Sequence, residues 1–255
     1  MDIVGTIAVG ILGAVIGSFL NVCIWRIPRE ESIIFPASHC PACSRPIRFF
    51  DNIPVFSWLL LRGRCRDCGE SISFRYPLVE ALTAILAVLL FWKYGWSLQM
   101  LCAFLFTAAL IVITFIDIDY QIIPDVISLP GIPLCFLAAV FVMGLPWHEA
   151  LIGLLVGGGI LYVIAIGYEL LTGREGMGGG DIKLLAMLGA FFGWKSLIFI
   201  LLCSSLTGAV IGITIMLIKG QDMKFAVPFG PFLALGALAY FFFGDFFQKI
   251  LFLTG

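Results

Sequence analysis

The sequence predicts an all-α polytopic membrane protein of about eight transmembrane helices with one small cytoplasmic loop domain, and three observations predict it. The chain is 61% hydrophobic and 12% charged over 255 residues, with a mean hydropathy of +1.10, far from the balance of a soluble domain. Uncharged stretches recur that, at about 1.5 Å per helical residue, reach across a hydrocarbon core of roughly 30 Å. The arginines gather between the first two of these stretches.

Residues 3–25 form the first span. No basic segment precedes it and no small-residue cleavage site with a soluble domain follows, so it is expected to stay as helix one rather than be removed as a signal peptide. Residues 78–92 form the second span, with Glu80 near its start, followed by 94–116, 126–148 and 150–168. The sixth, 182–194, is apolar apart from Lys183 but short for a crossing; 196–218 and 225–244 complete the set.

Placement of positive charge sets orientation, whereas the net charge of -1 says little and no nucleic-acid partner is expected. Arg26, Arg29, Arg45, Arg48, Arg62, Arg64, Arg66 and Arg75 all lie in the first loop, which is therefore cytoplasmic, with the N-terminus outside. Eight crossings also put Arg174, Lys183, Lys219 and Lys224 inside and leave Lys93, Lys195 and Lys249 outside. A re-entrant sixth segment would move Lys219 and Lys224 outside, so it is counted as a span. The expected domains are residues 1–25 (first helix), 26–76 (cytoplasmic loop domain) and 77–255 (the remaining bundle), the loop being marked by its prolines, glycines and arginines.

That loop holds Cys40-Pro41-Ala42-Cys43 and Cys65-Arg66-Asp67-Cys68, two CxxC pairs with 21 residues between them. A CxxC turn puts two thiolates on one side of a metal and two such turns complete a tetrahedron, giving a short loop a folding nucleus. A redox pair or two disulfides would fit an oxidising compartment, but a cytoplasmic loop is reducing. The expectation is structural zinc, with sulfur in all four positions and no place for a catalytic water. Cys23, Cys102, Cys135 and Cys203 stand singly in apolar spans and read as small hydrophobes. His39 is at most a neighbour of the metal ligands, and Trp58 reads as a core residue of the loop.

Acids within or at the edge of spans are costly, and each is a functional candidate. Asp117 ends the third span and Asp181 follows Gly178-Gly179-Gly180 at the start of the sixth, both at the cytoplasmic edge. The glycines allow close backbone approach to a helix or an extended substrate. Peptide hydrolysis by a carboxylate pair needs one ionised group to activate water and one protonated group to polarise the carbonyl, and two acids at one depth meet that need. Asp119 and Asp125 are rival partners. On a continuing helix Asp119 turns about 200° from Asp117, and Asp125, after Pro124, reads as the N-cap of the next helix; both are expected to support or cap.

These pieces resemble the type IV prepilin leader peptidases over essentially the whole chain. The matching residues are Gly17-Ser18-Phe19-Leu20-Asn21-Val22 ending in Arg26-Ile27-Pro28, the two CxxC pairs, Arg75-Tyr76-Pro77-Leu78-Val79-Glu80, Phe115-Ile116-Asp117 through Ile123-Pro124-Asp125, and Glu175-Gly176-Met177-Gly178-Gly179-Gly180-Asp181-Ile182-Lys183. The resemblance implies a bacterial inner-membrane aspartyl protease with Asp117 and Asp181 catalytic and Gly178, Gly180, Asp119 and Asp125 in support. It implies cleavage of prepilins or pseudopilins on the cytoplasmic side, after the glycine that ends a short basic leader. It also implies N-methylation of the new terminal residue, usually Phe, with S-adenosylmethionine as donor.

No glycine-rich nucleotide fingerprint is present, so the methyl-transfer activity rests on the resemblance alone. Asn21, Arg26, Arg75, Tyr76 and Glu80 lie near one another in the topology; they form either a polar pocket at the mouth of the bundle or a buried Glu–Arg pair that anchors the loop. Two other readings are a transporter that binds a cation or protons at the same acids, and a zinc-loop interaction module anchored by the bundle.

Overall fold

The computed structural model describes residues 2–173, 178–219 and 228–252. Arg174, Lys224, the 175–177 start of the glycine motif and residues 225–227 at the head of the last predicted span lie outside the described residues. The described elements are all helical, with no strand among them; two isolated bridges, His39 with Pro46 and Arg64 with Ser71, lie in the loop.

Eight long helices match the eight apolar segments: α1 (Ile3–Arg26), α3 (Arg75–Tyr94), α4 (Leu98–Tyr120), α5 (Asp125–Phe141), α6 (Trp147–Thr172), α7 (Gly179–Phe192), α8 (Trp194–Lys219) and α9 (Gly230–Phe252); the short α2 (Phe56–Leu60) lies in the loop. Five of them, α1, α3, α4, α6 and α8, are long and apolar enough to cross a membrane. The 14 residues of α7 extend only about 21 Å, less than a hydrocarbon core, and α5 and the apolar part of α9 are also short.

Several boundaries differ from the sequence reading. Helix α4 does not stop at Asp117 but runs one turn further to Tyr120. Helix α5 stops at Phe141, because Gly144 takes a positive φ of 76° and Pro146 leads into α6. Helix α6 continues past Glu169 to Thr172, where Gly173 closes it in the left-handed conformation.

The chain divides into two compact units, 1–112 and 113–255. In the first, α1 packs on α3 through a glycine stripe. A Cβ on Gly13 would lie 2.8 Å from the Ala87 Cβ, and one on Gly17 would lie 2.7 Å from the Glu80 Cα. Small residues four apart let helix backbones close in where lipid gives no hydrophobic drive for association. The opposite face of α1, with Ile7, Ile11 and Val15, is exposed, as suits a lipid-facing surface.

The second unit repeats the device. A Cβ on Gly189 of α7 would run into the Gly153 carbonyl of α6, and one on Gly157 would lie 2.5 Å from the Leu185 carbonyl oxygen. Gly131 of α5 similarly faces the Met187 sulfur. Helix α7 is accordingly the most enclosed element, with Leu184, Leu185 and Leu188 fully buried. Helices α8 and α9 are tied by Ser204, whose hydroxyl is 2.9 Å from the Phe232 carbonyl oxygen.

Candidate active site and cysteine centre

Helix α4 carries Asp117 into the second unit, where it is 5% exposed. The helix ends just beyond it: the Gln121 N–H returns to the Asp117 carbonyl at 2.9 Å, with Gln121 at a φ of 55°. The following residues lead to Ile123, which is buried. Gly180 and Gly230 both approach this residue. A Cβ on Gly180 would lie 2.8 Å from the Ile123 Cβ, and one on Gly230 would lie 3.3 Å from its Cδ1.

Gly230 is the first residue of α9, and its N–H donates to Asp117 Oδ2 at 2.9 Å. Unpaired N–H groups at a helix N-terminus, together with the helix dipole, suit a carboxylate there. Asp181, in the first turn of α7 next to Gly180, is half-buried and feels the charge of Asp117. The two predicted carboxylates are thus within electrostatic reach of each other, with Ile123 against both Gly180 and Gly230.

The supporting candidates separate. Gly180 is required by the close approach of Ile123, whereas Gly178 is the N-cap of α7 in an extended conformation, with no other element against it among the described residues. Asp119, two residues on from Asp117 in the continuing helix, is exposed. The N-cap reading of Asp125 is corrected: Pro124 holds that position, and Asp125 is the first helical residue, an acid in the first turn. Instead Asp125 Oδ1 receives Lys183 Nζ at 2.6 Å, a link between α5 and α7. Gly230 and Ile123 were missed in the sequence; the Phe229-Gly230-Pro231 break ahead of an apolar run was the available signal for the first.

In the first unit the four cysteine sulfurs lie within 4.8 Å of one another, and those of Cys40 and Cys68 are 3.8 Å apart. Four sulfurs at about 2.3 Å from a tetrahedral metal are about 3.8 Å from each other, so the donor set and its spacing fit one metal ion. The two CxxC turns share one backbone pattern. Cys40 N–H bonds the Arg45 carbonyl and Ser44 N–H returns to Cys40, while Cys65 N–H bonds Glu70 and Gly69 N–H returns to Cys65. Ser44 and Gly69, at φ 57° and 75°, occupy the same left-handed position after each second cysteine.

The Cys68 and Asp67 N–H groups hold the Cys65 thiol down at about 7. Cys68 is lowered by the Glu70 N–H, but desolvation and its neighbouring thiols outweigh this and push it up to about 12. The loop is braced by Arg66 on Asp51 at 2.7 Å and Arg45 on Asp67 at 3.2 Å. Trp58 fills its small core as expected, donating to the Ile72 carbonyl and meeting Phe74 edge-on.

Asn21, Arg26, Arg75, Tyr76 and Glu80 all line one cavity of about 590 Å³ within the first unit. Arg26 is committed to the loop, donating to the Ser32 and Pro36 carbonyls at 2.8 and 2.7 Å. Glu80, 8% exposed, accepts the Val55 N–H at 2.7 Å.

Two family models match this chain: the bacterial peptidase A24 N-terminal domain over residues 11–94 and the type IV leader peptidase family over residues 104–213. A protein of Pseudomonas putida named prepilin leader peptidase/N-methyltransferase is 39% identical over 92% of this chain and 89% of its own length. One of Aeromonas hydrophila with the same name is 42% identical over 90% and 88%. This chain belongs to the type IV leader peptidase family. No solved structure matches it.

As a leader peptidase the chain has a plain division. The N-terminal family match falls within the first unit, with the cysteines and the cavity; the peptidase match contains Asp117, Ile123, Gly180 and Asp181. Gly230, which bonds Asp117, lies beyond the matched residues.

Proposed function

We propose that this chain removes the leader from type IV prepilins or pseudopilins with Asp117 and Asp181 as its catalytic pair. It is a membrane aspartic peptidase of the leader peptidase family that also methylates the new N-terminus. What supports the catalytic assignment is that Gly180, next to Asp181, and Gly230, whose N–H bonds Asp117, both pack against Ile123, which leaves the two carboxylates within electrostatic reach of each other.

In this reading one carboxylate, ionised, takes a proton from water while the other, protonated, donates to the scissile carbonyl oxygen. The water oxygen bonds to the carbonyl carbon, the C–N bond breaks and the departing amine takes the proton. The Gly230 N–H fixes Oδ2 of Asp117 so that the carboxylate does not reorient during the reaction. Among the described residues no other element lies within 4 Å of a Cβ placed on Gly178 or Gly179, and in this reading an extended substrate backbone passes there.

The arginine-rich segment 26–76 is a separate cytoplasmic subdomain and the N-terminus lies outside, by the charge bias of the loops. The basic leader then stays in the cytoplasm while the apolar remainder of the substrate enters beside the helices. Cys40, Cys43, Cys65 and Cys68 hold a structural zinc ion, which supplies a folding nucleus and no chemistry. S-adenosylmethionine, when bound, supplies a methyl group on a sulfonium sulfur, and the new terminal amine accepts it with loss of a proton. The transport reading is without support, since these relatives bear peptidase and methyltransferase names.

The test is cleavage of a prepilin by purified D117N and D181N variants in lipid. Neither should release the leader, while both keep the thermal melting profile of the unchanged protein. Normal processing by either variant overturns the assignment.

A further inference from the structure

Helix α2 carries its apolar residues on the wrong side for a loop surrounded by water. Phe56, Leu59 and Leu60 share one face, at the i, i+3, i+4 spacing, and they are 68%, 57% and 82% exposed. The residue turned inward is a serine: Ser57 is buried, its Oγ 2.7 Å from the Ile53 carbonyl oxygen and 3.1 Å from that of Phe50. A contiguous apolar face left open beside polar residues marks an interaction surface.

Two contacts fix the depth at which that face lies. Val55, the residue ahead of α2, donates its N–H to the Glu80 carboxylate at 2.7 Å. Glu80 stands inside α3, about 7.5 Å along the axis from Arg75. Trp58 of α2 meets Phe74, the residue before α3, with ring centroids 5.6 Å apart. Helix α3 is a candidate membrane span, and its 20 residues extend about 30 Å, the thickness of a hydrocarbon core. Its first turns therefore stand at the headgroup boundary, and α2 lies level with them.

Charge identifies the occupant. The segment 26–76 has eight arginines against Glu30, Glu31, Asp51, Asp67 and Glu70. Asp51 and Asp67 are already matched by Arg66 and Arg45. The chain leaves α2 through Arg62 and Arg64, which are exposed and in no ion pair among the described residues. An apolar helix face with cations at its end suits an anionic bilayer surface. A second copy of the same surface, or a basic leader peptide, would meet like charge here.

We propose that α2 is an interfacial helix: Phe56, Leu59 and Leu60 enter the headgroup boundary beside α3, and Arg62 and Arg64 bind the phosphates of anionic phospholipids. The contact ties the cysteine loop to the bilayer at a point between the two helices that already tether it.

The test places a photoreactive benzoylphenylalanine at position 60, and separately at position 56, in the full chain. Each variant is embedded in nanodiscs of phosphatidylcholine with phosphatidylglycerol as about one lipid in five, with melting profiles confirming the fold; adducts are read by mass spectrometry. Both positions should yield phospholipid adducts, with the ratio of anionic to zwitterionic lipid about fivefold above that of the bilayer, as expected for one arginine at a charged surface. R62Q/R64Q should return that ratio to the bilayer value. Adducts to a second copy of the chain or to added prepilin in place of lipid, or no adduct at either position, would overturn the proposal. Lipid adducts in bilayer proportion, unchanged by R62Q/R64Q, would overturn the role given to the arginines.

Discussion

Replacing Gly230 with alanine tests the geometry of the carboxylate pair without touching either acid. The new Cβ would lie 2.6 Å from Asp117 Oδ2 and 3.3 Å from Asp117 Cγ. An ordinary carbon–oxygen contact needs about 3.4 Å, so the carboxylate must retreat by about 0.8 Å or α9 must shift by as much. A reacting group misplaced by about 1 Å can cost roughly a hundredfold in rate, and the Gly230 N–H that fixes Oδ2 at 2.9 Å would be misaligned as well. G230A is therefore expected to lower leader cleavage by about 10- to 100-fold, read from the single-turnover rate on a purified prepilin. Stability should fall by only about 1 kcal/mol, because the atom in the way ends a side chain and not a backbone segment. Cleavage at the unchanged rate, with the variant folded, would refute the claim that Gly230 holds Asp117 for catalysis.

G189A should be mainly a stability mutation. Its Cβ meets the Gly153 backbone carbonyl, so α6 and α7 must part at a cost of about 1–3 kcal/mol, and an unchanged melting temperature would count against the glycine contact. Replacing Cys40 and Cys65 with serine should abolish bound zinc, measured by elemental analysis, and loosen the loop around Trp58, seen in its fluorescence; full metal content in the double variant would reject the site. K183M breaks the Asp125 link, but both side chains are partly exposed and such a pair is worth about 0–1 kcal/mol. It should slow cleavage less than about tenfold, and a loss as complete as that of D181N would instead place Lys183 in the chemistry.

The sequence by itself determined the composition of the problem. Runs of apolar residues set eight helices, because a backbone in lipid must satisfy its own hydrogen bonds. Two CxxC pairs set a four-sulfur centre, because the turn geometry is local and repeats at Cys40 and Cys65. Asp117 and Asp181 stood out as candidates because charged groups are costly in such surroundings.

Only the tertiary structure decided what lies around them. Helix α4 runs on past Asp117 because its hydrogen-bond ladder continues to a left-handed Gln121, a choice that hydropathy does not encode. The service of Gly230 to Asp117, the wedge of Ile123 against Gly180 and the pairing of Asp125 with Lys183 join residues far apart in the chain. Each depends on which helix faces are pressed together. The depth of that contact is set by glycines such as Gly17 and Gly189, whose missing side chains acquire meaning only when another backbone arrives to fill the space.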